Sequence, residues 1–189
     1  DHSGAVIRAL KKYPSAVLVT TRPTFEILRV VLSDLRAIMA ENGYPGLVPY
    51  TSKFYEGLLN RAIIIDEPGW APLVRGVRVY FGPAGHMIGA AFVVIEEADG
   101  TRVGFTGDVS TDNTPLFKGM SEEDVLPLHD GRRMKALFIE STNGDREIPS
   151  RDEDAKKARQ IVRNAFDRGG KVLAVALAVG RAQEVLIDQ

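Results

Sequence analysis

Cysteine is absent from this 189-residue sequence, and only three histidines occur in it. Without cysteine there can be no disulfide and no thiolate metal site, so any metal ion would be bound by histidine, aspartate or glutamate. A chain without thiols also fits a reducing compartment, and we expect a cytoplasmic protein, or a nuclear one in a eukaryote.

Long apolar runs and an excess of one charge are also missing. No segment is apolar over the length of a membrane span, and the N-terminus lacks the basic and apolar pattern of a signal peptide. The 24 basic and 25 acidic residues give a net charge of −1, whereas nucleic-acid binders often carry a basic excess. The sequence opens on Asp1 without an initiator methionine, and we expect a partial chain of a longer protein.

What is present is an alternation of helical and strand patterns, which predicts an α/β fold. Apolar residues make up 44% of the chain, which is enough for a folded core. Helices are predicted from Pro23 to about Gly43, over 53–61, from Ser150 to about Arg168, and from Gly180 onward. Strands are predicted at 16–20, 62–65, 77–81, 91–95, 102–106, 135–139 and 171–177. The continuous apolar strand 91–95 should be buried on both faces, and 171–177 should be buried as well.

The composition changes near Ile148-Pro149, where a second domain is predicted to begin. Ser150 and Glu153 match a capping box, in which each side chain bonds a backbone N–H at the start of the helix. The helix, strand and helix that follow are typical of the edge of a separate α/β layer.

His86 lies on a glycine-rich loop between two predicted strands, within Gly82-Pro83-Ala84-Gly85-His86-Met87-Ile88-Gly89. Glycine lets the backbone turn sharply and lets a ligand approach closely. An imidazole on such a loop is well placed to bind a metal ion, although a loop histidine without a role is the commoner case.

Two carboxylates end predicted strands. Asp108 can reach from its strand end into a cleft and bridge two cations, but turn and helix-cap aspartates are also common there. Glu140 follows the strand at 135–139, where it could orient a metal ligand or simply pair with Arg146.

The other two histidines lie outside the predicted strands. Asp1 and His2 are adjacent, so both could approach one ion from a loop, although such a pair is frequent by chance. His129 lies in a turn predicted to be exposed, and we assign it no role.

Taken in order, these segments resemble the motifs of the metallo-β-lactamase superfamily. Asp1-His2 is similar to the end of the His-x-His-x-Asp-His signature, Gly85-His86 to the third metal motif and Gly107-Asp108 to the fourth. Within the superfamily, the β-CASP nucleases carry an acidic motif that Glu140-Ser141-Thr142 resembles, together with Gly144-Asp145-Arg146. Val179-Gly180-Arg181-Ala182-Gln183-Glu184 resembles the opening of the β-CASP domain.

The resemblance is strongest to the RNA-processing members, such as the catalytic subunit of the cleavage and polyadenylation factor. DNA-repair members usually carry a different acidic motif, which favours RNA as the substrate. The implied fold is part of a metallo-β-lactamase αββα sandwich over residues 1–147, without its N-terminal strands, and the start of a β-CASP domain over 148–189. RNA is the implied partner, with a homodimer or an RNA-processing complex as the assembly and no membrane.

The implied activity is zinc-dependent hydrolysis of RNA phosphodiester bonds, with two zinc ions in the complete protein. His86 and Asp108 would bind one ion, and Asp1, His2 and Asp108 the other. Glu140 would orient these ligands without binding the metal itself. The implied catalytic residues are Asp1, His2, Asp108 and Glu140. Since the first two histidines of the signature are missing, we expect weak metal binding and negligible activity from residues 1–189 alone.

Two other functions remain open from the sequence. A small-molecule hydrolase of the same superfamily, such as a thioesterase, would lack a segment like Gly180-Arg181-Ala182-Gln183-Glu184. A non-catalytic subunit of an RNA-processing complex would typically have lost metal ligands, whereas every matched ligand is present.

Overall fold

The structure of the chain, a computed structural model, describes Ser3, residues 5–43 and residues 52–187, except for the side chains of 52, 54, 55 and 58. The described chain is a mixed α/β fold, which confirms the predicted class. It divides into two compact units, Asp1–Pro68 and Gly69–Gln189. In these described ranges no helix has both the length and the apolarity to cross a bilayer. The boundary between residues 147 and 148 stays a prediction.

In its described ranges, the first unit combines three helices with a small parallel sheet. Its elements are α1 (Val6–Lys12), β1 (Val19–Thr21), α2 (Arg22–Glu41), α3 (Ser52–Leu59) and β2 (Ile63–Ile65), and β1 pairs with β2 in parallel. Among the residues described there, Ile7, Leu10, Leu28 and Leu32 form a buried core.

The long helix α2 begins where the sequence predicts. The Thr21 hydroxyl accepts the N–H of Thr24, which caps the first turn. Pro23 lies in that first turn, where its missing N–H costs nothing. The preceding strand is shorter than predicted, since β1 covers only Val19–Thr21.

The second unit is built on a five-stranded sheet in the order β3-β4-β5-β6-β7. The strands are β3 (Gly69–Pro72), β4 (Arg78–Pro83), β5 (Ala91–Glu96), β6 (Arg102–Phe105) and β7 (Met134–Phe138). Neighbours are antiparallel except for β6 and β7, which are parallel. The predicted Asp99-Gly100 turn joins β5 to β6, with Gly100 at a φ of 84°.

One face of this sheet carries the core of the second unit. Tyr80, Phe92, Val94 and Leu128 are buried together, and Leu128 belongs to a short 3₁₀ turn over Leu126–Leu128. The Tyr80 hydroxyl donates to the carbonyl of Asp124 at 2.9 Å, so its polar end is satisfied.

A cluster of charged side chains crosses the sheet at one edge, which we call the ion-pair edge: Arg78, Glu96, Arg102, Asp130 and Arg132. Arg78 and Arg102 both pair with Glu96 in the strand register, at 2.7 and 2.6 Å, and Arg132 joins them at 2.9 Å. Asp130 binds the buried Arg102 through both of its oxygens. The bond from Arg78, and then those from Arg102 and Arg132, outweigh burial and lower the pKa of Glu96 from 4.5 to about 2.

The burial of β5 differs from the prediction. Buried and partly exposed residues alternate along Ala91–Glu96, and Ile95 is 37% exposed. Period-two burial is typical of an antiparallel strand with one face packed on the core, so burial on both faces was wrong. The strand β3 (Gly69–Pro72) was not predicted.

Two helices end the described chain, α4 (Arg151–Asp167) and α5 (Arg181–Ile187). α4 ends near Arg168 as predicted, and Gly169 and Gly170 terminate it with N–H bonds back to Phe166 and Ala165. The capping box was wrong, because the Ser150 side chain makes no capping bond and only its carbonyl accepts, from Asp154.

The predicted buried strand at 171–177 was also wrong. Residues 171–177 have no regular structure, and Leu173 and Val175 are almost fully exposed. No strand in the described ranges pairs with this segment. Apolar, β-branched residues favour a strand only when a neighbouring strand bonds their backbone, so the sequence pattern alone was insufficient.

Candidate active site

Three of the predicted site residues converge because four strand ends meet at one edge of the larger sheet. β4 ends beside the start of β5, where Pro83 pairs with Ala91. β6 and β7 are parallel and end together, where Phe105 pairs with Phe138. The loops carrying His86, Asp108 and Glu140 therefore leave the sheet at the edge opposite the ion-pair edge.

The loop that carries His86 is closed tightly on itself and on the next loop. The N–H of Ala84 bonds the carbonyl of Ala90, and the carbonyl of Ala84 accepts the N–H of Ser110. Gly85 has a φ of 67°, and a Cβ there would lie 2.2 Å from the carbonyl oxygen of Ser110. Only glycine fits this position without a shift, which explains the residue before His86.

His86 and Asp108 face each other across this edge. The Nε2 atom of His86 lies 3.6 Å from Oδ2 of Asp108, and both side chains are partly exposed. Two ligands of a tetrahedral zinc ion, each roughly 2.1 Å from it, lie about 3.4 Å apart. The pair therefore has the spacing and the donor chemistry to share one ion.

Glu140 binds the backbone beside Asp108. Its Oε1 accepts the N–H of Val109 at 2.9 Å, and its Oε2 accepts the N–H of Thr142 at 3.2 Å. The Thr142 side chain, followed by these backbone bonds, lowers the pKa of Glu140 below its ordinary value. Arg146 donates to Asn143 instead, so the alternative pairing of Glu140 with Arg146 is not what the structure contains.

The three side chains line one cleft of about 530 Å³. Four carboxylates and two guanidinium groups contribute to its described lining: Asp108, Asp112, Glu140 and Asp154, with Arg151 and Arg181. Such an acidic floor attracts cations, and away from the two guanidinium groups it repels a phosphate unless cations are bound.

The two arginines of the cleft are joined by a buried acid. Arg151 of α4 and Arg181 of α5 each donate to Oε2 of Glu184 at 2.8 Å. Glu184 is only 3% exposed. Burial alone would raise the pKa of Glu184, but the bonds from Arg151 and Arg181, with a smaller one from the Thr114 side chain, outweigh it and lower that pKa. Arg181 and Glu184 belong to the motif at 179–184, which predicted no role for either side chain, and no local pattern singles out Arg151.

The predicted metal ligands are only partly accounted for by the described structure. His86 and Asp108 are brought together, whereas Asp1 and His2 lie outside the described residues. Among the residues that the structure describes, no group of three His, Cys, Asp or Glu side chains could hold a metal ion. A catalytic zinc usually has three protein ligands, so His86 and Asp108 would need at least one more. His129 is exposed, as predicted.

The sequence is similar to proteins named for transcription termination and RNA cleavage. Transcription termination factor FttA of Methanocaldococcus jannaschii is 30% identical over 190 residues, which are 99% of this chain and 28% of the relative. The corresponding factor of Thermococcus kodakarensis is 30% identical over 192 residues, with the same shares. Ribonuclease TTHA0252 of Thermus thermophilus is 30% identical over 187 residues, 98% of this chain and 39% of that enzyme.

The chain is thus related to these proteins along nearly its whole length. It spans between about a quarter and two fifths of the length of these relatives. No protein-family model matches it. The relationship supports the expected link to RNA-processing nucleases.

Proposed function

We propose that this chain supplies part of the active site of a zinc-dependent ribonuclease of the β-CASP branch of the metallo-β-lactamase superfamily. The observation that carries the proposal is the approach of His86 Nε2 to Asp108 Oδ2, 3.6 Å apart in a cleft that Glu140 also lines. Similarity to a ribonuclease, and to transcription termination factors, supports RNA as the substrate.

Each of the three residues has a distinct part in this proposal. His86 and Asp108 would hold zinc between an imidazole and a carboxylate, and Asp1 and His2 would add ligands from the N-terminal segment. Zinc, when bound, supplies the Lewis acidity that activates water near neutral pH and offsets phosphate charge. Glu140 would fix the backbone that follows Asp108, because it accepts the N–H of Val109.

The test is cleavage of a labelled single-stranded RNA by the full-length protein and by its His86→Ala and Asp108→Ala variants. Both variants should lose activity by roughly 100-fold or more, and zinc content measured by metal analysis should fall with it. His129→Ala is the matched control, because His129 is exposed and does not line the cleft. It should retain wild-type cleavage and zinc.

Undiminished RNA cleavage in both His86→Ala and Asp108→Ala would refute the proposed site. A single-stranded DNA of the same base sequence forms the second arm of the assay. If DNA is cleaved faster than RNA, the substrate assignment fails while the metal-dependent chemistry stands. A wild-type protein that binds zinc and cleaves neither polymer would remove the nuclease proposal itself.

A further inference from the structure

The buried carboxylate of Glu184 lies between two arginines from different helices. Its Oε2 accepts one N–H from Arg151, 33 residues away, and one from Arg181 on the same helix. Its other oxygen, Oε1, is buried and makes no hydrogen bond of ordinary geometry among the described residues, although the nearby Thr114 side chain helps to lower the pKa of Glu184. A buried, half-satisfied carboxylate is costly. A purely structural link between α4 and α5 would be made as well or better by apolar side chains.

Both arginines keep most of their donors for another ligand. A guanidinium carries five N–H groups, and within the described chain each of these two uses one of them, on Glu184. Their side chains are 30% and 42% exposed, and both line the cleft that contains His86 and Asp108. The planar fork of arginine matches two oxygens of a phosphate.

The charges in the cleft point to the same ligand. Arg151 and Arg181 are the cationic side chains in its described lining, against four carboxylates. With Glu184 between them, the two guanidinium groups retain a net charge of about +1 and form the positive part of an otherwise acidic cleft. The acidic floor offers nothing that would hold a phosphate by itself.

We propose that Glu184 is a positioning residue that aims Arg151 and Arg181 at a backbone phosphate of the RNA bound in this cleft. The inference rests on the proposed ribonuclease function, which it deepens by assigning a phosphate site separate from the metal ligands. The two guanidinium groups would bind the phosphate and would not distinguish one base from another.

The experiment measures binding of a fluorescein-labelled oligouridylate to the full-length protein by fluorescence anisotropy, over a series of KCl concentrations. EDTA is present so that binding is measured without cleavage. Arg151→Gln and Arg181→Gln should each weaken binding about tenfold. Each should also reduce the slope of log Kobs against log[KCl] by about 0.7, the value for one phosphate contact on a single strand.

Two further variants separate aiming from simple charge. Arg163→Gln is the control, since Arg163 is an exposed α4 residue outside the cleft lining, and it should keep wild-type affinity and slope. Glu184→Gln retains both guanidinium charges and the side-chain shape. It should leave the slope unchanged but weaken binding several-fold, because the arginines are no longer held in place. A merely structural role for Glu184 would lower the melting temperature and leave affinity at wild-type values.

Wild-type affinity and slope in folded Arg151→Gln and Arg181→Gln would overturn the proposal. Should Arg181→Gln fail to fold, Arg181→Lys decides. If Arg181→Lys binds RNA several-fold more weakly at an unchanged slope, this supports phosphate binding by the planar guanidinium group. Wild-type affinity in Arg181→Lys overturns it. The two proposals fail separately. If the protein cleaves RNA but its RNA affinity does not depend on Arg151 and Arg181, only the phosphate-site proposal fails. If RNA affinity depends on the two arginines but adding zinc produces no cleavage, only the ribonuclease proposal fails.

Discussion

Replacing Glu96 by glutamine should destabilise the chain at neutral pH and much less in acid. Glu96 accepts bonds from three arginines, and its pKa is lowered from 4.5 to about 2. A shift of that size corresponds to about 3 kcal/mol of stability above the unfolded pKa. Because Arg78 and Arg132 are 37% and 49% exposed, solvent screening reduces the expected loss to about 2–3 kcal/mol.

The pH window follows from the direction of the shift. A carboxyl group with a lowered folded pKa stabilises the fold above its unfolded pKa, and this stabilisation disappears as the pH falls through the folded pKa. For Glu96 the window lies between about pH 5 and about pH 2, and roughly two fifths of the effect remains at pH 3. The difference in unfolding free energy between wild type and Glu96→Gln should therefore shrink to about 1 kcal/mol at pH 3.

Urea denaturation followed by tryptophan fluorescence measures this difference. Trp70 is the single tryptophan of the chain, and the Arg78 guanidinium lies 4.1 Å from the centre of its ring, so the probe reports on the ion-pair edge itself. Glu97→Gln, at the exposed next residue, should stay within about 0.5 kcal/mol of wild type at both pH values. An equal loss for Glu96→Gln at pH 7 and pH 3 would refute the lowered pKa, since steric effects of the glutamine do not depend on pH.

Two further predictions concern the loops of the cleft. Gly85→Ala should lower the melting temperature more than Gly100→Ala, because both positions have positive φ but only at Gly85 would the new Cβ meet backbone atoms closer than 3 Å. The left-handed conformation alone should cost Gly100→Ala about 1–2 kcal/mol, and equal melting temperatures would contradict the steric argument. Glu140→Gln should reduce zinc affinity or RNA cleavage of the full-length protein roughly 10- to 100-fold by loosening the backbone after Asp108. Glu147→Gln, at an exposed residue, should leave both unchanged, and equal effects of the two variants would show that Glu140 has no orienting role.

The parts of the fold that the sequence predicted are those fixed by neighbouring residues. The strands at 77–81 and 102–106 and the turn at Asp99-Gly100 follow from side-chain alternation and turn chemistry, which act over a few residues. The convergence of His86 with Asp108 follows from strand direction, because successive antiparallel strands return their ends to one edge.

What the sequence could not predict depends on partners far along the chain. The 171–177 segment has the composition of a buried strand, yet a strand forms only where another strand bonds its backbone. The association of Arg151 with Glu184 joins residues 33 positions apart, and neither belongs to a local pattern that distinguishes a paired charge from a solvated one. Their shared position in the cleft results from how α4 and α5 pack, which periodicity does not encode.

The two edges of the larger sheet deal with charge in opposite ways, and this contrast supports the location of the site. At one edge, Glu96 and Asp130 are matched by three arginines, so the carboxylates there are neutralised by the protein itself. At the other edge, four carboxylates face a cleft with two guanidinium groups, and those two also pair with Glu184. A local excess of negative charge weakens a fold through self-repulsion. Carboxylates outnumber guanidinium groups in the cleft beside Asp108, which supports the proposal that cations bind there, and the ion-pair edge stabilises the same strands β5 and β6.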